Sequence, residues 1–333
     1  MPTGKSIGTD HDHATPIDRI AAYADHPSAF IACNDDFEHF VADDIPGVVP
    51  YRRRGRTVLV FGGAFAPPQH RSRLLSRFLR DVVGRRKAVV AQLRPEDIEL
   101  FAGHGFSVDQ FGCSYSIDLQ AFTSKGKPLA KVRQNISRAK REGTTVVEIT
   151  DDRHAAELDA IDRQWLRAKG WHVKQLDFMV GQRGGRGSAD RRLFIAQRAG
   201  RITGYVSYSP AYGTRPGWLY DLTRRVPESS VGTIELINFT ALQTFRTEGA
   251  QWLHLGFTPF AGIDDAGNAH ASRFVRSMIG VLAERGSVVY PAKSQQAFKL
   301  KWAPQIIEPE YLAFSGGPRP SSIWQLLRIT NSI

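Results

Sequence analysis

Trp218-Leu-Tyr-Asp-Leu-Thr223 is the stretch that decides the fold, because it opens a succession of strand, loop, helix and strand. The loop 224–233 follows it, then a helix-forming run over 233–248 that ends at Gly249, and then the apolar run 252–255. Such a succession is typical of α/β domains. Its chemistry is expected where the strand ends and the helix begins, because the first N–H groups of a helix have no partner within it.

The same alternation of strands and helices continues on both sides of this unit. Upstream we predict strands at 57–61, 88–93 and 115–119 with helices at 71–83 and 95–104. After the polar joint 124–128, we predict a basic helix at 129–142, strands at 145–149, 193–199 and 202–209, and helices at 153–168 and near 271–284. The sequence therefore predicts the α/β (α+β) class.

Two α/β units of similar size and element order indicate a duplicated fold, although no sequence repeat is evident. A chain of 333 residues also exceeds what one hydrophobic core usually organises. We expect a disordered leader at 1–15, an N-terminal domain at 16–123 and a C-terminal catalytic domain at 124–333 that includes the basic helix.

The net charge of +11 favours partners that carry phosphate, either nucleic acid or an anionic membrane face, although solubility alone would also explain it. No run of about 18 apolar residues is present, so any membrane contact is expected to be peripheral. Cys33 and Cys113 show no metal or redox spacing, which fits a reduced cytoplasmic compartment. We predict no metal and no cofactor.

Basic residues in two segments are candidates for RNA binding. In helix 129–142, Lys131, Arg138 and Arg141 point away from the apolar stripe, whereas Arg133 and Lys140 lie at its border. The run Gln182-Arg-Gly-Gly-Arg-Gly187 matches the signature of a phosphate-binding loop. Such a loop is followed by a helix, whereas a strand pair is predicted after this run. We read it as a flexible loop whose Arg183 and Arg186 are free to contact phosphates.

Acidic residues of the central unit are candidates for catalysis. Asp221 lies inside an apolar strand, and a buried carboxylate needs a cation or a hydrogen-bonded role. Arg224 is its predicted partner in a structural ion pair, and the alternative is an acid that binds an ammonium or accepts a proton. Glu235, in the first helical turn, is favoured there by the helix dipole alone. Its function stays open at this point.

Two motifs near the end of the chain complete the candidates. Gly256 follows a strand and Pro259 comes three residues later, so the backbone there can approach a ligand closely. A glycine and a proline that simply end the strand explain the pattern as well. In Gln296-Ala-Phe-Lys-Leu-Lys-Trp-Ala-Pro304, an extended backbone would place Lys299 and Lys301 on one face. Either lysine could stabilise an oxyanion or engage a phosphate, and a solvated edge strand is the alternative.

The common signatures of serine hydrolases, zinc proteases and phosphate-binding loops are absent from the sequence. Nothing indicates a covalent nucleophile. That absence suits a donor that arrives activated, since an aminoacyl ester needs only positioning, a proton acceptor and charge stabilisation.

In order, these segments resemble the C-terminal synthase domain of the phosphatidylglycerol lysyltransferase (multiple peptide resistance factor) family. The matching segments span about residues 50–315 and are 112–119, 132–143, 165–169, 220–224 with 232–233, 255–262, and 298–304 before 311–313. Two residues depart from the family: Thr223 stands where members usually have methionine, and Glu310 where they usually have arginine. Members also often follow a multi-helix membrane domain, which this sequence does not contain.

The resemblance implies two tandem acetyltransferase-like (GNAT) folds related to the Fem peptidyltransferases, each a mixed sheet flanked by helices, and aminoacyl-tRNA as donor. Site residues that it implies are Arg133, Asp221, Arg224, Gly232, Glu235, Lys299 and Lys301. We assign catalysis to Asp221 and Lys299, substrate binding to the others with Gly256, and tRNA binding to the basic helix and loop 182–187.

The sequence thus predicts an aminoacyl-tRNA-dependent aminoacyltransferase, cytoplasmic or peripheral on the inner membrane face. The acceptor is left open between a phosphatidylglycerol-type lipid and a small molecule or peptide. One rival is an N-acyltransferase of the same fold that uses coenzyme A; the single glycine of loop 224–233, Gly232, argues against it. A second rival is a non-catalytic module that binds RNA or an anionic membrane, for which the net charge would suffice.

Overall fold

The computed structural model describes residues 14–169, 178–264, 270–271 and 292–318. Strands in these residues are β1 (Glu38–Ala42), β2 (Ile45–Arg54), β3 (Thr57–Phe61), β4 (Lys87–Leu93), β5 (Phe106–Asp118), β6 (Thr145–Ile149), β7 (Arg192–Arg198), β8 (Arg201–Ala211), β9 (Gly217–Arg225), β10 (Trp252–Pro259) and β11 (Ile306–Ser315). Together they form one mixed sheet in the order β1-β2-β3-β4-β11-β5-β10-β9-β8-β7-β6.

Helices cover both faces of this sheet. They are α1 (Pro16–Tyr23), α2 (Pro68–Phe78), α3 (Ile98–Gly103), α4 (Ala130–Arg141), α5 (Ala155–Lys169), α6 (Thr233–Thr247) and α7 (Ala292–Leu300). In the half that holds β9 and β10, one face packs against α4, α6 and α7 through Leu253 and Leu255, and we call it the α6 face. Leu219 lies on the opposite face, which packs against α1 and the 3₁₀ turn Ala29–Cys33 and is called the α1 face.

The two halves of the sheet repeat one arrangement. In the first half β1, β2 and β3 pair antiparallel, and β3 then pairs in parallel with β4 across the α2 connection. In the second half β6 to β9 pair antiparallel, and β9 pairs in parallel with β10 across α6. This repetition supports the duplication inferred from the element order, and the predicted mixed α/β class is confirmed.

The last strand of each half lies within the other half. β11 is inserted between β4 and β5, and β5 is inserted between β11 and β10. β11 therefore pairs with two strands that precede the predicted domain boundary at residue 123, and β5 pairs with two strands that follow it. The boundary itself stays a prediction.

Most predicted elements lie within a few residues of their observed bounds, because their apolar patterns are unambiguous. Thr57–Phe61 is buried at every position, as expected of a strand covered on both faces. Two predictions fall outside the described residues: the leader, except for residues 14 and 15, and the helix near 271–284. Thr15 caps α1, with its side chain and that of Asp18 forming a reciprocal capping box.

Lys299 and Lys301 do not lie on an extended backbone, the condition under which they would share one face. Residues 292–300 form α7, so Lys299 lies in its last turn and Lys301 just beyond its end. Phe298 and Trp302 both pack on the α6 face, whereas Leu300 is 43% exposed. The alternation of apolar residues therefore does not mark the two faces of a strand here.

Candidate active site

β9 and β10 diverge at the centre of the sheet. Their parallel pairing covers residues 217–219 and 252–254 and stops there. Beyond this point Gly256 has a φ of +74°, a left-handed conformation that favours glycine. The carbonyl groups of Gly256 and Phe257 face the gap, and Lys299 Nζ donates a hydrogen bond to each, at 2.9 and 2.7 Å. A lysine therefore replaces the missing strand partner.

Lys299 is buried on the β10 side of this gap, which we call the wedge, with its ammonium 5.6 Å from the centroid of the Tyr115 ring of β5. Burial lowers its pKa from 10.5 to about 7, although the charges of Glu310 and Cys113 act in the opposite direction. Burial likewise raises the pKa of Glu310, to about 7. A lysine of this kind is charged in part of the molecules near neutral pH. It can therefore stabilise an anion that enters the wedge.

Next to the wedge, a groove of about 350 Å³ opens where β9 ends and α6 begins. It is lined by Tyr220, Thr223, Arg225, residues 230–235, Phe298 and Lys301. A Cβ at Gly256 would lie 3.6 Å from the Tyr220 carbonyl oxygen and 4.0 Å from Lys299 Nζ. Lys299 is therefore close to the main chain of Tyr220, whose residue lines the groove. Three of the predicted site residues, Gly232, Glu235 and Lys301, line the groove itself.

Glu235 is the shared acceptor in a network of hydrogen bonds at this groove. Lys301 Nζ donates to its Oε1 at 2.6 Å, and Asn135 Nδ2 of α4 donates to the same oxygen at 2.7 Å. Burial raises the pKa of Glu235, but the Lys301 charge and the two hydrogen bonds outweigh it, so the net shift is downward. Lys301 also lies over the Phe298 ring, 4.2 Å from its centroid. The groove thus combines an ionised acid, a cation and an aromatic wall.

Gly232 joins α4 to the first turn of α6. Its φ is +96°, and a Cβ there would lie 2.1 Å from the carbonyl oxygen of Asn135. We expect Gly232→Ala to lower the free energy of unfolding by about 2–4 kcal/mol, because backbone strain adds to a clash with main-chain atoms. Gly249→Ala is the matched control at the other end of α6, with a φ of +89° and nothing within 4 Å. It should cost about 1 kcal/mol. Equal losses in urea denaturation would contradict the close packing at Gly232.

Tyr220 and Arg225 were missed by the sequence reasoning. Both line the groove, and Tyr220 lies 5.8 Å from Phe298 between ring centroids. Arg224, which was predicted, points to the other face: its guanidinium lies 4.1 Å from the Trp165 ring centroid and 3.7 Å from Asp162. Strict side-chain alternation from Tyr220 would select Arg224, so the sequence held no signal for Arg225: a register shift in β9 between Tyr220 and Leu222 changes which side chains share the groove.

Asp221 lies on the α1 face, and its predicted ion pair with Arg224 is wrong. Its side chain is 1% exposed, accepts a hydrogen bond from Ser209 Oγ, and lies 3.8 Å from the guanidinium of Arg191. Burial raises its pKa, against the Arg191 charge and hydrogen bonds from Ser209 and the Gly181 amide. Lys299 approaches the sheet from the α6 face. The structure therefore does not bring the two predicted catalytic residues into contact.

Basic residues of α4 remain on the surface. Lys131, Arg138, Lys140 and Arg141 are exposed on the helix that contacts the first turn of α6. Arg138 forms an i,i+4 ion pair with Glu142 at 2.8 Å. Arg133 donates to the carbonyl groups of Ser124 and Gly126, so it holds the joint before the helix. Its substrate-binding role stays a prediction.

The loop 182–187 differs from its prediction. A strand pair, β7 and β8, does follow it, after the short 3₁₀ turn Ser188–Asp190. Its two arginines are not free, however. Arg183 pairs with Asp159 and Asp162 of α5, and Arg186 donates to three main-chain carbonyls between residues 34 and 37. Arg183 therefore links the loop to α5, and Arg186 links it to residues 34–37.

The described residues show neither a membrane-spanning helix nor a cluster of metal ligands. None of the helices there is long and apolar enough to cross a membrane. No group of three or more His, Cys, Asp or Glu residues in those parts is placed to hold a metal ion.

Comparison with known proteins agrees with the motif-based resemblance. The family model described as the C-terminal part of phosphatidylglycerol lysyltransferase matches residues 17–314. A phosphatidylglycerol lysyltransferase of Bacillus subtilis is 23% identical over 84% of this chain, which spans 32% of that protein. The structure of L-PGS from Bacillus licheniformis superposes with a TM-score of 0.77 at 20% identity, covering 98% and 99% of the two chains. FemX gives 0.56 at 10% identity, covering 95% and 98%. The likeness to solved structures shows the fold, and the resemblance drawn from the motifs is confirmed.

Proposed function

Because the chain belongs to the family of phosphatidylglycerol lysyltransferase C-terminal domains, we propose that it transfers an amino acid from aminoacyl-tRNA to a hydroxyl or amine acceptor. A phosphatidylglycerol-type lipid is the first acceptor to test, since the family model and the Bacillus subtilis relative carry that name. A small molecule or a peptide is the second.

The observation that carries this proposal is the groove at the start of α6. An aminoacyl ester presents a cationic ammonium next to a polar carbonyl, with an RNA phosphate close by. Glu235 suits the ammonium because its pKa is held low, and Arg225 and Lys301 suit the phosphate. The wedge with Lys299 lies directly behind the groove, where the ester carbonyl would enter.

The reaction balances without a cofactor. The acceptor hydroxyl or amine attacks the ester carbonyl, the bond between that carbon and the ribose oxygen breaks, and a proton passes from the acceptor to the leaving oxygen. Negative charge develops on the carbonyl oxygen, and the Lys299 ammonium would stabilise it. Glu235 would orient the ammonium of the amino acid or take the proton. Asp221, which lies on the α1 face with Arg191 and Ser209, is assigned no part in this reaction.

Coenzyme A is disfavoured as the donor by the packing around Gly232. A pyrophosphate-binding turn needs backbone N–H groups that a ligand can approach. Here the Asn135 carbonyl of α4 already lies against Gly232, at a distance that would exclude even a Cβ. The turn is therefore closed by the protein on that side.

The experiment is incubation of the chain with a pool of radiolabelled aminoacyl-tRNAs and vesicles that contain phosphatidylglycerol, or a soluble cell extract as acceptor source. We expect label to leave tRNA and appear in a lipid or extract product. A parallel thermal-shift measurement compares charged tRNA with acetyl-CoA. Stabilisation by acetyl-CoA together with label that stays on every tRNA would support the coenzyme A rival instead.

A further inference from the structure

The whole net charge of the chain lies in one segment. Residues 45–95 contain twelve arginines and lysines and a single acid, Asp81, so this segment carries +11. The chain as a whole has 44 basic and 33 acidic residues, also +11. The remaining residues therefore hold 32 basic and 32 acidic side chains and are neutral. The segment forms β2, β3, α2 and β4 of the first half.

Acids from outside the segment compensate part of this charge. Arg52 pairs with Asp36 at 2.7 Å and Arg53 pairs with Glu38. On α2, Arg71 and Arg73 pair with Asp97 and Asp44. Arg94 faces Asp25, Glu96 and Glu308. Within the segment, Arg77 and Arg80 pair with Asp81.

Five other basic side chains of the segment come together at two adjacent turns. Arg54-Gly55-Arg56 joins β2 to β3, and Arg85-Arg86-Lys87 leads into β4. The turns touch, because the Lys87 amide donates to the Arg56 carbonyl at 3.0 Å and Thr57 lies beside Lys87 in the parallel register. We call these five residues the basic edge: Arg54, Arg56, Arg85, Arg86 and Lys87.

The basic edge is open to solvent and lacks acids of its own. Its four arginines are exposed. Arg56, Arg85, Arg86 and Lys87 have no carboxylate partner in the described part of the chain, whereas Arg86 donates weakly to the Val82 carbonyl at 3.4 Å. Guanidinium groups bind phosphate through two parallel hydrogen bonds, so a cluster dominated by arginine suits a phosphate backbone.

The basic edge lies in the direction toward which β9 and β10 run, beyond the level at which these two strands end. Through β11 and β5, strands β3 and β4 run antiparallel to β9 and β10. Val89, two residues after Lys87, is level with Ser107 of β5, whereas Pro259 at the end of β10 is level with Gly112. Across the sheet, four strand spacings separate β4 from β9 and five separate β3 from β9, about 19 and 24 Å at roughly 4.8 Å each. Along the strands, the basic edge lies about seven residues from the end of β10, about 23 Å at roughly 3.3 Å each. Several base pairs of an acceptor arm together with its unpaired 3′ end are long enough to span both distances.

We propose that the basic edge docks the double-stranded acceptor arm of the donor tRNA while the aminoacylated 3′ end reaches the groove. This inference rests on the proposed function. An anionic membrane is less suited, since none of the large apolar side chains exposed in the described residues lies within 45–95. The basic loop 182–187 does not compete for this role, since its arginines are paired within the protein.

The test is the affinity of the full chain for uncharged tRNA, measured by fluorescence anisotropy between 0.1 and about 0.3 M salt, so that turnover is not required. For R56A/R85A we expect about tenfold weaker binding near 0.15 M salt and a salt slope smaller by about 2. The matched control R163A/R201A removes two exposed arginines elsewhere. Its affinity should change less than twofold. Equal affinities of R56A/R85A and wild type would overturn the proposal.

A second arm measures sedimentation with vesicles that contain phosphatidylglycerol. If R56A/R85A loses vesicle binding but keeps tRNA binding, the basic edge is a membrane contact and the RNA assignment is overturned. Failure of the proposed function looks different. In that case wild type moves no amino acid from charged tRNA in the transfer assay, whereas failure of the docking inference leaves wild-type transfer intact and the variant's tRNA affinity unchanged.

Discussion

Replacing Lys299 with methionine should lower the transfer rate at pH 7 by about a hundredfold to a thousandfold, the usual loss when one donor to a developing oxyanion is removed. Lys299 is the cation in the wedge between β9 and β10, and methionine keeps the unbranched chain while removing the ammonium. The measurement is single-turnover transfer from charged tRNA. Lys293→Met, on the exposed first turn of the same helix, is the control and should transfer at the wild-type rate.

The pH dependence of wild type tests the same role independently. Only the ammonium form of Lys299 can stabilise an oxyanion, and its pKa is about 7. Transfer should therefore fall as pH rises above about 7. A rate that climbs across this range would assign Lys299 the role of a base instead. Lys299→Met with a rate within threefold of wild type would remove it from the chemistry altogether.

Stability should respond to pH in the opposite direction. The unfolded lysine holds its proton up to 10.5, whereas the folded one releases it near 7. Between these values the unfolded state binds more protons, so the free energy of unfolding of wild type rises with pH relative to Lys299→Met. Glu310, whose pKa is raised to about 7, changes the free energy of unfolding with pH only below about pH 7, outside the range used for Lys299. Urea denaturation at pH 7 and pH 9 separates a structural loss from a catalytic one.

Glu235→Gln should reduce kcat/KM for the charged tRNA by about a hundredfold. Glutamine keeps the shape and can still accept from Lys301 and Asn135, but it removes the negative charge that would hold the ammonium or take the proton. The control is Glu228→Gln, because Glu228 is exposed in the loop before α6 and does not line the groove. Its kcat/KM should stay within twofold.

A double-mutant cycle shows whether Glu235 and Lys301 act together. Because they are hydrogen-bonded at 2.6 Å, the combined variant Glu235→Gln with Lys301→Met should lose less than the product of the single losses. Strictly multiplicative losses would mean that the two residues act separately. In that case the groove would not bind the amino acid as one unit.

The central strands and helices can be predicted from the sequence because neighbouring residues alone determine each of them. Thr57–Phe61 is a continuous apolar run, and α6 ends before Gly249, whose φ of +89° matches the usual helix-ending glycine. The position of Gly256, one residue after an apolar run, likewise indicated a special backbone conformation. These features need only neighbouring residues, so no tertiary information was required.

The segment around Lys299 shows where local patterns become ambiguous. Phe298, Leu300 and Trp302 alternate with period two, which predicts a strand, but Phe298 and Trp302 are also four residues apart and share one face of a helix. Five residues cannot distinguish the two periods. Packing against β10 and the Tyr115 ring decides for the helix.

Long-range partners of charged residues also lay beyond the sequence. Asp221 was assigned to Arg224 because that residue is close in the chain, yet its cation is Arg191, from the segment before β7. The groove needs Asn135, Glu235 and Lys301 from three distant segments. By contrast, the concentration of net charge in residues 45–95 is countable in the sequence, and only the contact between its two turns required the structure.

The most direct measurement of the central claim follows a labelled amino acid from tRNA to acceptor, with wild type and Glu235→Gln side by side. The account predicts that label leaves the tRNA and appears in an ester- or amide-linked product with wild type. With Glu235→Gln the label should remain on the tRNA although tRNA affinity is kept. Label that stays on every aminoacyl-tRNA with wild type, or transfer at the same rate by both proteins, would contradict it.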